Sequence, residues 1–194
     1  MRPFLERGIE VWAFGYFYPD AFVDKDGIAW GSLEAQVAMS IATIHPGVAG
    51  LVVDAETEFN GRGADASKLC RLLRAKLGDK KLAYSSFGWL SAQRRFPFDA
   101  FDKGCGDAFL PQVYYDFGWP GGVSGSLERM RKDVAALKLR APLWPVQSNE
   151  RNASVADMTR FFEEAGSDAS IFYLHASDTD QTRRMGALSW RTHE

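Results

Sequence analysis

Apolar residues along this chain follow two alternating patterns. Short runs rich in β-branched and aromatic residues predict buried strands, whereas the segments between them repeat apolar residues at helical spacing, as at Leu33, Val37 and Ile41. The strand candidates are IEVWAFGYFY from Ile9, GLVVDAE from Gly50, KLAYSSF from Lys81, AFLPQVYY from Ala108, APLWPVQ from Ala141 and ASIFYLH from Ala169.

The alternation of strands and helices predicts an α/β fold with a parallel sheet, because parallel strands are joined by long crossovers. Two architectures fit this pattern: an open doubly wound sheet and a (β/α) barrel of the TIM type. No glycine-rich nucleotide-binding loop follows any strand candidate, and polar residues gather at the strand ends. Both observations favour the barrel.

The predicted barrel is incomplete. Six strands are clear where a full barrel has eight, so we expect six to seven strand–helix units in a single domain over residues 1–194. The opening segment PFLERG resembles the end of a helix, which predicts that the first unit is missing. Unpaired strand edges of such a barrel invite a second copy, and we therefore expect a homodimer. Residues 20–31 are predicted to form a loop that shapes the rim of a cleft.

The best candidate for chemistry is the segment GLVVDAETEF, in which Asp54, Glu56 and Glu58 follow a buried strand. The strand period of two places the three acids on one face. The Cα atoms of successive acids, which are two residues apart, are then about 6.5–7 Å from each other. Like charges this close raise one another's pKa, so one carboxyl group can donate a proton while another stabilises positive charge or activates water. A solvated strand end and a divalent-metal site are the alternatives, although no His/Asp ligand pattern supports a metal.

Other strand ends carry the mixture of aromatic, amide and carboxyl groups that a sugar-binding site needs. Aromatic rings stack on the apolar face of a pyranose, and polar groups bind its hydroxyls. Any single one of these aromatic residues would also suit a protein core, and His175 is not expected to carry the proton. The predicted substrate-binding residues are Tyr16, Tyr18, Glu58, Gln112, Tyr114, Asp116, Trp119, Gln147 and His175.

The segment GLVVDAE resembles the Asp-x-Glu strand of family-25 glycoside hydrolases, the Chalaropsis-type muramidases of phage and bacterial genomes. The segments LAYSSFGW and PQVYYDFGW are similar to later strands of related barrels, so the resemblance spans roughly Ile9 to His175. It implies a barrel enzyme that cleaves the bond between N-acetylmuramic acid and N-acetylglucosamine in peptidoglycan. It also implies Glu56 as proton donor and Asp54 as its charged partner, with no cofactor and no metal. The chain departs from the family in lacking an Asp-x-Ser-like first strand and a Trp-x-Gln-Tyr-like closing strand.

Composition and charge limit the classes of partner that the chain is expected to bind. The net charge is -2 and no basic stripe carries interleaved aromatics, so nucleic acid is not an expected partner. No apolar run approaches the roughly 20 residues of a membrane span. The first residues lack the apolar core of a signal peptide, but a phage lysin can be exported by a partner, so the compartment stays open.

Cys70 and Cys105 are predicted to be buried, unreactive thiols, because one pair is too few for a disulfide framework.

These observations support one leading hypothesis, a glycoside hydrolase that acts on peptidoglycan or another polysaccharide. The alternative is a non-catalytic carbohydrate-binding or structural domain, associated with a phage or a cell wall, on a degenerate glycosidase barrel. The absent first-strand motif favours the alternative, whereas the repulsion between three acids and an anionic glycan counts against it. A third class is a protein-interaction scaffold with exposed, unperturbed carboxylates.

Overall fold

Six parallel strands form one sheet in the computed structural model of the chain, which describes residues 6, 8, 10–147, 153–166 and 169–171. Each strand lies within one of the predicted runs. The third strand coincides with KLAYSSF, and the first, second, fourth and fifth are shorter than their runs. The strands are β1 Ala13–Tyr16, β2 Gly50–Asp54, β3 Lys81–Phe87, β4 Phe109–Val113, β5 Val146–Gln147 and β6 Ser170–Ile171.

Within the described residues, five helices alternate with these strands, and three short 3₁₀ helices follow β2, β3 and β4. None of the described helices is both long and apolar enough to cross a membrane. The α-helices are α1 Leu33–Thr43, α2 Gly63–Leu77, α3 Phe98–Cys105, α4 Gly122–Leu137 and α5 Val155–Ala165, and the 3₁₀ helices are Thr57–Phe59, Leu90–Ala92 and Tyr115–Phe117.

The order of strands in the sheet follows their order in the chain, from β1 to β6, and all neighbouring pairs are parallel. A doubly wound sheet reverses its strand order at a switch point, so the sequential order excludes that alternative. Crossovers of one hand between successive parallel strands put the helices on a single face of the sheet. The prediction of an α/β fold with a parallel sheet is confirmed, and the described residues form a partial barrel rather than a complete TIM barrel.

Contacts between distant strands show that the sheet curls. The rings of Trp12 and Trp144, which lie just before β1 and β5, meet edge to face with their centroids 5.2 Å apart. Four spacings of a flat sheet would separate those strands by about 19 Å. The inner surface of the curl is therefore concave. The contact between Trp12 and Trp144 covers the lower end of this surface, which is the end where the strands begin.

Two apolar layers flank the sheet because alternate side chains of each strand point to opposite faces. The outer layer lies between sheet and helices and includes Leu51, Val53, Tyr84, Phe109 and Phe101. The inner layer lines the concave surface with smaller side chains and the two tryptophans, namely Val52, Ala83, Ala108, Leu110, Val146, Trp12 and Trp144.

A disulfide joins Cys70 in α2 to Cys105 in α3, so the prediction of two free thiols is wrong. The two cysteines are 35 residues apart in sequence, but their Cα atoms are 5.4 Å apart because α2 and α3 pack side by side on the outer face. Gly104 permits this approach, since a Cβ atom there would lie 2.6 Å from the Cβ of Cys70. A disulfide between a single pair of cysteines requires only that their Cα atoms lie this close. The spacing of the two residues in sequence does not reveal this proximity.

Candidate active site

The carboxyl ends of β1 to β4 meet at the open mouth of the concave surface. The register pairs Tyr16 with Asp54 and Asp54 with Ser85, while Gln112 of β4 lies beside Phe87. Asp54, Ser85 and Gln112 are all buried. The parallel register therefore brings an acid, a hydroxyl and an amide from three strands into one cluster.

Asp54 is the chemically unusual member of this cluster. It is only 5% exposed, and Gln112 Nε2 donates a hydrogen bond to its Oδ1 at 2.9 Å and another to Ser85 Oγ at 3.4 Å. Burial, followed by the negative charges of Glu56 and Glu58, raises the pKa of Asp54 to about 8, and the hydrogen bond from Gln112 opposes this shift. The carboxyl group of Asp54 is thus mostly protonated at pH 7.

Glu56 and Glu58 are close to Asp54, but not along a continuous strand. β2 ends at Asp54 and a 3₁₀ helix begins at Thr57, so the prediction that three acids share one strand face is wrong. Phe59 ends this 3₁₀ helix, and its side chain is buried in the outer layer. Both glutamates nevertheless contribute to the raised pKa of Asp54, which means that the turn keeps their charges at the mouth.

Tyr16 connects the first strand to this acidic group. Its Oη donates a hydrogen bond to Glu58 Oε2 at 2.8 Å. Burial raises the pKa of Tyr16 above its usual range, and the hydrogen bond to Glu58 and the charge of Glu56 add to the shift. Tyr16 therefore stays a neutral hydrogen-bond donor that fixes the carboxylate of Glu58.

Aromatic rings continue from Tyr16 along one side of the mouth. The ring of Tyr18 lies 5.0 Å from that of Tyr16 and stacks on Trp30 at 4.1 Å and on Phe22 at 5.5 Å. Phe22 and Trp30 belong to the 20–31 segment, which folds back on itself through an antiparallel bridge between Val23 and Ala29. The predicted rim loop thus adds rings that the sequence does not single out individually; its only signal is aromatic residues within a loop beside a candidate cleft.

Three further predicted residues follow β4. A 3₁₀ helix begins at Tyr115, so Tyr114 and Asp116 do not continue the alternation of the strand as predicted. The ring of Tyr114 lies 5.5 Å from that of Phe117. Trp119 meets Trp89 edge to face at 6.1 Å, which places it against the loop after β3. These residues belong to the same end of the sheet as Asp54, at the side opposite the 20–31 loop.

Gln147 lies on the other side of the sheet. It is 1% exposed, and its Oε1 accepts a hydrogen bond at 3.4 Å from Tyr115, which belongs to the outer layer. Its neighbour Val146 faces inward, so alternation along β5 turns Gln147 toward the helices.

His175 lies outside the described residues. Ser85 was not a sequence candidate, and its phase with Ala83 in KLAYSSF is the signal that could have found it.

The arrangement combines a buried, protonated carboxyl group with two carboxylates nearer to solvent. Such a set can transfer a proton to a leaving oxygen and stabilise the positive charge that develops. Within the described residues, no group of three or more His, Cys, Asp or Glu side chains is placed to hold a metal ion. Comparison of the chain with protein-family models, curated proteins and solved structures finds no match.

Proposed function

We propose that the chain is a glycoside hydrolase of the family-25-like, muramidase type, acting on polysaccharide and above all on peptidoglycan glycan strands. The observation that carries the proposal is the burial of the Asp54 carboxyl group, which, with the charge of Glu56, raises its pKa to about 8. Hydrolysis of a glycosidic bond requires a proton on one carboxyl group and a negative charge on a second.

In this mechanism Asp54 and Glu56 act as a coupled pair that shares one proton. Asp54 holds the proton in the resting protein because it is the more deeply buried of the two. Glu56 lies nearer to solvent, so it is the group that delivers the proton to the glycosidic oxygen. The resemblance assigns a charge to Asp54 at rest, and the raised pKa of Asp54 changes that role to a neutral proton reservoir.

The remaining residues of the mouth bind and orient the sugar. Tyr16 and Tyr18 offer ring surfaces and hydroxyl groups, and Glu58, held by Tyr16, is the second carboxylate available to stabilise charge or activate water. Gln112 directs both of its described hydrogen bonds to Asp54 and Ser85. We therefore assign Gln112 a positioning role rather than direct contact with the sugar.

Digestion of purified cell-wall sacculi, followed by release of reducing sugar ends, tests this function. Wild type is compared with Asp54→Asn and Glu56→Gln, and Glu163→Gln serves as matched control because Glu163 is exposed on α5. We expect both active-site variants to lose at least about a hundredfold in rate and the control to keep full activity. Activity of Glu56→Gln equal to that of wild type would contradict the proposal.

One observation favours a second function, that of a non-catalytic glycan-binding domain. The stacked rings of Tyr18 and Trp30 present an aromatic surface whose use requires no carboxylate. This alternative predicts that wild type binds sacculi but releases no reducing ends.

The homodimer remains a separate proposal, and a monomeric mass in solution would contradict it.

A further inference from the structure

Trp30 presents one face of its ring to solvent near the mouth of the candidate site. The residue is 39% exposed, while Tyr18 covers its other face with a centroid distance of 4.1 Å and an interplanar angle of 15°. Burial of an aromatic ring is favourable, so a large ring that keeps one face open is a candidate binding surface.

The indole ring is held in this position by hydrogen bonds within its own loop. Trp30 Nε1 donates to Asp24 Oδ2 at 3.1 Å, and the backbone N of Trp30 donates to the carbonyl of Phe22 at 2.9 Å. The other oxygen of Asp24 accepts from the backbone N atoms of Asp26 and Ile28, each at 2.9 Å. One carboxylate thus shapes the turn and fixes the ring, which reduces the entropy that a ligand would have to overcome on binding.

The ring that supports Trp30 is itself anchored to the scaffold. The backbone N of Tyr18 donates to Gln36 Oε1 at 3.0 Å, and Gln36 Nε2 donates to the carbonyl of Tyr18 at 3.2 Å. Gln36 is buried in α1, and Phe22 stacks on Tyr18 as well. The aromatic platform, defined as Trp30, Tyr18 and Phe22, therefore rests on a helix rather than on a loop alone.

The platform is continuous with the acidic mouth. Tyr18 lies 5.0 Å from Tyr16, whose Oη is bonded to Glu58. A chain molecule whose reacting bond lies between Glu56 and Glu58 would extend past Tyr16 toward Trp30. The platform is thus placed to bind another unit of the same chain.

The charges around the platform limit the chemistry of that unit. Asp24 is ionised, since the hydrogen bond from Ile28 lowers its pKa, and Glu58 lies at the other end of the ring series. Lys25 and Asp26 beside Asp24 offset one another. An anionic unit would be repelled, whereas the hydroxyl groups of an uncharged sugar can donate to carboxylates while its apolar face stacks on a ring.

We propose that the platform is a subsite for an uncharged pyranose unit of a glycan, stacked on the open face of Trp30 outside the bond that is cleaved. The choice of a glycan as ligand rests on the proposed function. Stacking itself requires no turnover, so binding and hydrolysis can fail independently of each other.

The test compares Trp30→Ala and Trp30→Phe with Ile28→Ala, a control in the same loop at a 53% exposed apolar residue. Binding of a hexasaccharide of N-acetylglucosamine is measured by calorimetry on each protein. Loss of the ring is expected to weaken binding about tenfold, the phenylalanine variant to weaken it less than threefold and the control to leave it unchanged. In wild type, the sugar should also reduce quenching of tryptophan fluorescence by iodide, and this protection should decrease in Trp30→Phe.

Each alternative result has a definite meaning. Equal binding by Trp30→Ala and wild type overturns the subsite, as does failure of wild type to bind the hexasaccharide or tighter binding of a uronic-acid oligomer of equal length. Equal loss in all three variants, with unchanged thermal unfolding, also overturns it, because the ring face would then have no specific role. Binding that depends on Trp30 without any hydrolysis of sacculi keeps the subsite and rejects the hydrolase; hydrolysis with no effect of Trp30→Ala does the reverse.

Discussion

The outer and inner faces of the curled sheet are built from the same strands but differ in what they bury. The outer face carries large side chains such as Leu51, Tyr84 and Phe109, covered by helices and cross-linked by the disulfide. The inner face carries smaller apolar residues at its lower end and, where β2 to β4 end, the buried polar residues Asp54, Ser85 and Gln112.

This difference separates stability from chemistry. Large apolar side chains packed under helices supply most of the favourable free energy of folding. Buried polar groups are costly unless they are paired, and Asp54, Ser85 and Gln112 lie together on the inner face where β2 to β4 end. Substitutions on the outer face should therefore alter stability at every pH, whereas those at the inner mouth should alter how stability depends on pH.

The largest effect is expected at Asp54. Its pKa rises from 3.8 in the unfolded chain to about 8 in the folded protein, so folding takes up a proton between these values. The resulting stabilisation is complete below pH 3.8 and is lost as pH rises through 8, which amounts to roughly 6 kcal/mol at about 1.36 kcal/mol per pKa unit. Asp54→Asn stays neutral, so its stability relative to wild type should increase across this range.

Urea denaturation at several pH values from 4 to 9 measures this difference. Asp99→Asn is the matched control, because Asp99 is an exposed aspartate on α3 whose replacement should change stability by less than about 0.5 kcal/mol at each pH. A constant difference between Asp54→Asn and wild type over the whole range would show that Asp54 does not carry a raised pKa.

The second effect compares one core residue from each face. Phe101 contacts Phe59, Phe96 and Tyr84 in the outer layer, so Phe101→Ala should lower the free energy of unfolding by about 3–5 kcal/mol. Leu110→Ala on the inner face should cost about 2–3 kcal/mol, at the low end of its class, because the inner layer is smaller. Equal losses in denaturation experiments would contradict the division of roles between the faces.

The third effect concerns the disulfide of the outer face. A bond between cysteines 35 residues apart should stabilise the protein by about 2–4 kcal/mol, mainly by restricting the unfolded chain. Oxidised and reduced wild type are compared by denaturation, since they have the same side chains, and Cys70→Ala with Cys105→Ala should match the reduced form. Equal stability of the oxidised and reduced proteins would contradict this expectation.

Most of the fold could be predicted from sequence because it depends on local patterns. The runs around Leu51, Leu82 and Phe109 are apolar over enough residues to identify buried strands, and the helical spacing between them implies parallel pairing. The curl was predicted only in the general form of a barrel, because the contact between Trp12 and Trp144 joins residues that are far apart in sequence. The disulfide escaped prediction for the same reason.

The candidate site was predictable only where the strand pattern continued. Asp54 and Gln112 lie in β2 and β4, so alternation correctly turned them toward the same face. Beyond the last strand residue the period of two no longer applied, and Glu58 reached the mouth through a 3₁₀ turn instead. Gln147 was assigned to the mouth from its position near a strand end, whereas β5 is only two residues long and turns it outward.

The smallest effect distinguishes two buried glutamines, one on each face. Gln112 donates to Asp54 Oδ1 and thereby lowers the pKa of Asp54, so Gln112→Leu should raise that pKa further and move the loss of stability to higher pH. Gln147→Leu removes a comparable hydrogen bond, to Tyr115, and should cost a similar 1–3 kcal/mol or so without moving the titration of Asp54. Carbon NMR of the Asp54 carboxyl group measures its pKa in both variants. An equal shift in the two variants would contradict the prediction, because the pKa of Asp54 would then depend on general loosening of the sheet rather than on the hydrogen bond from Gln112.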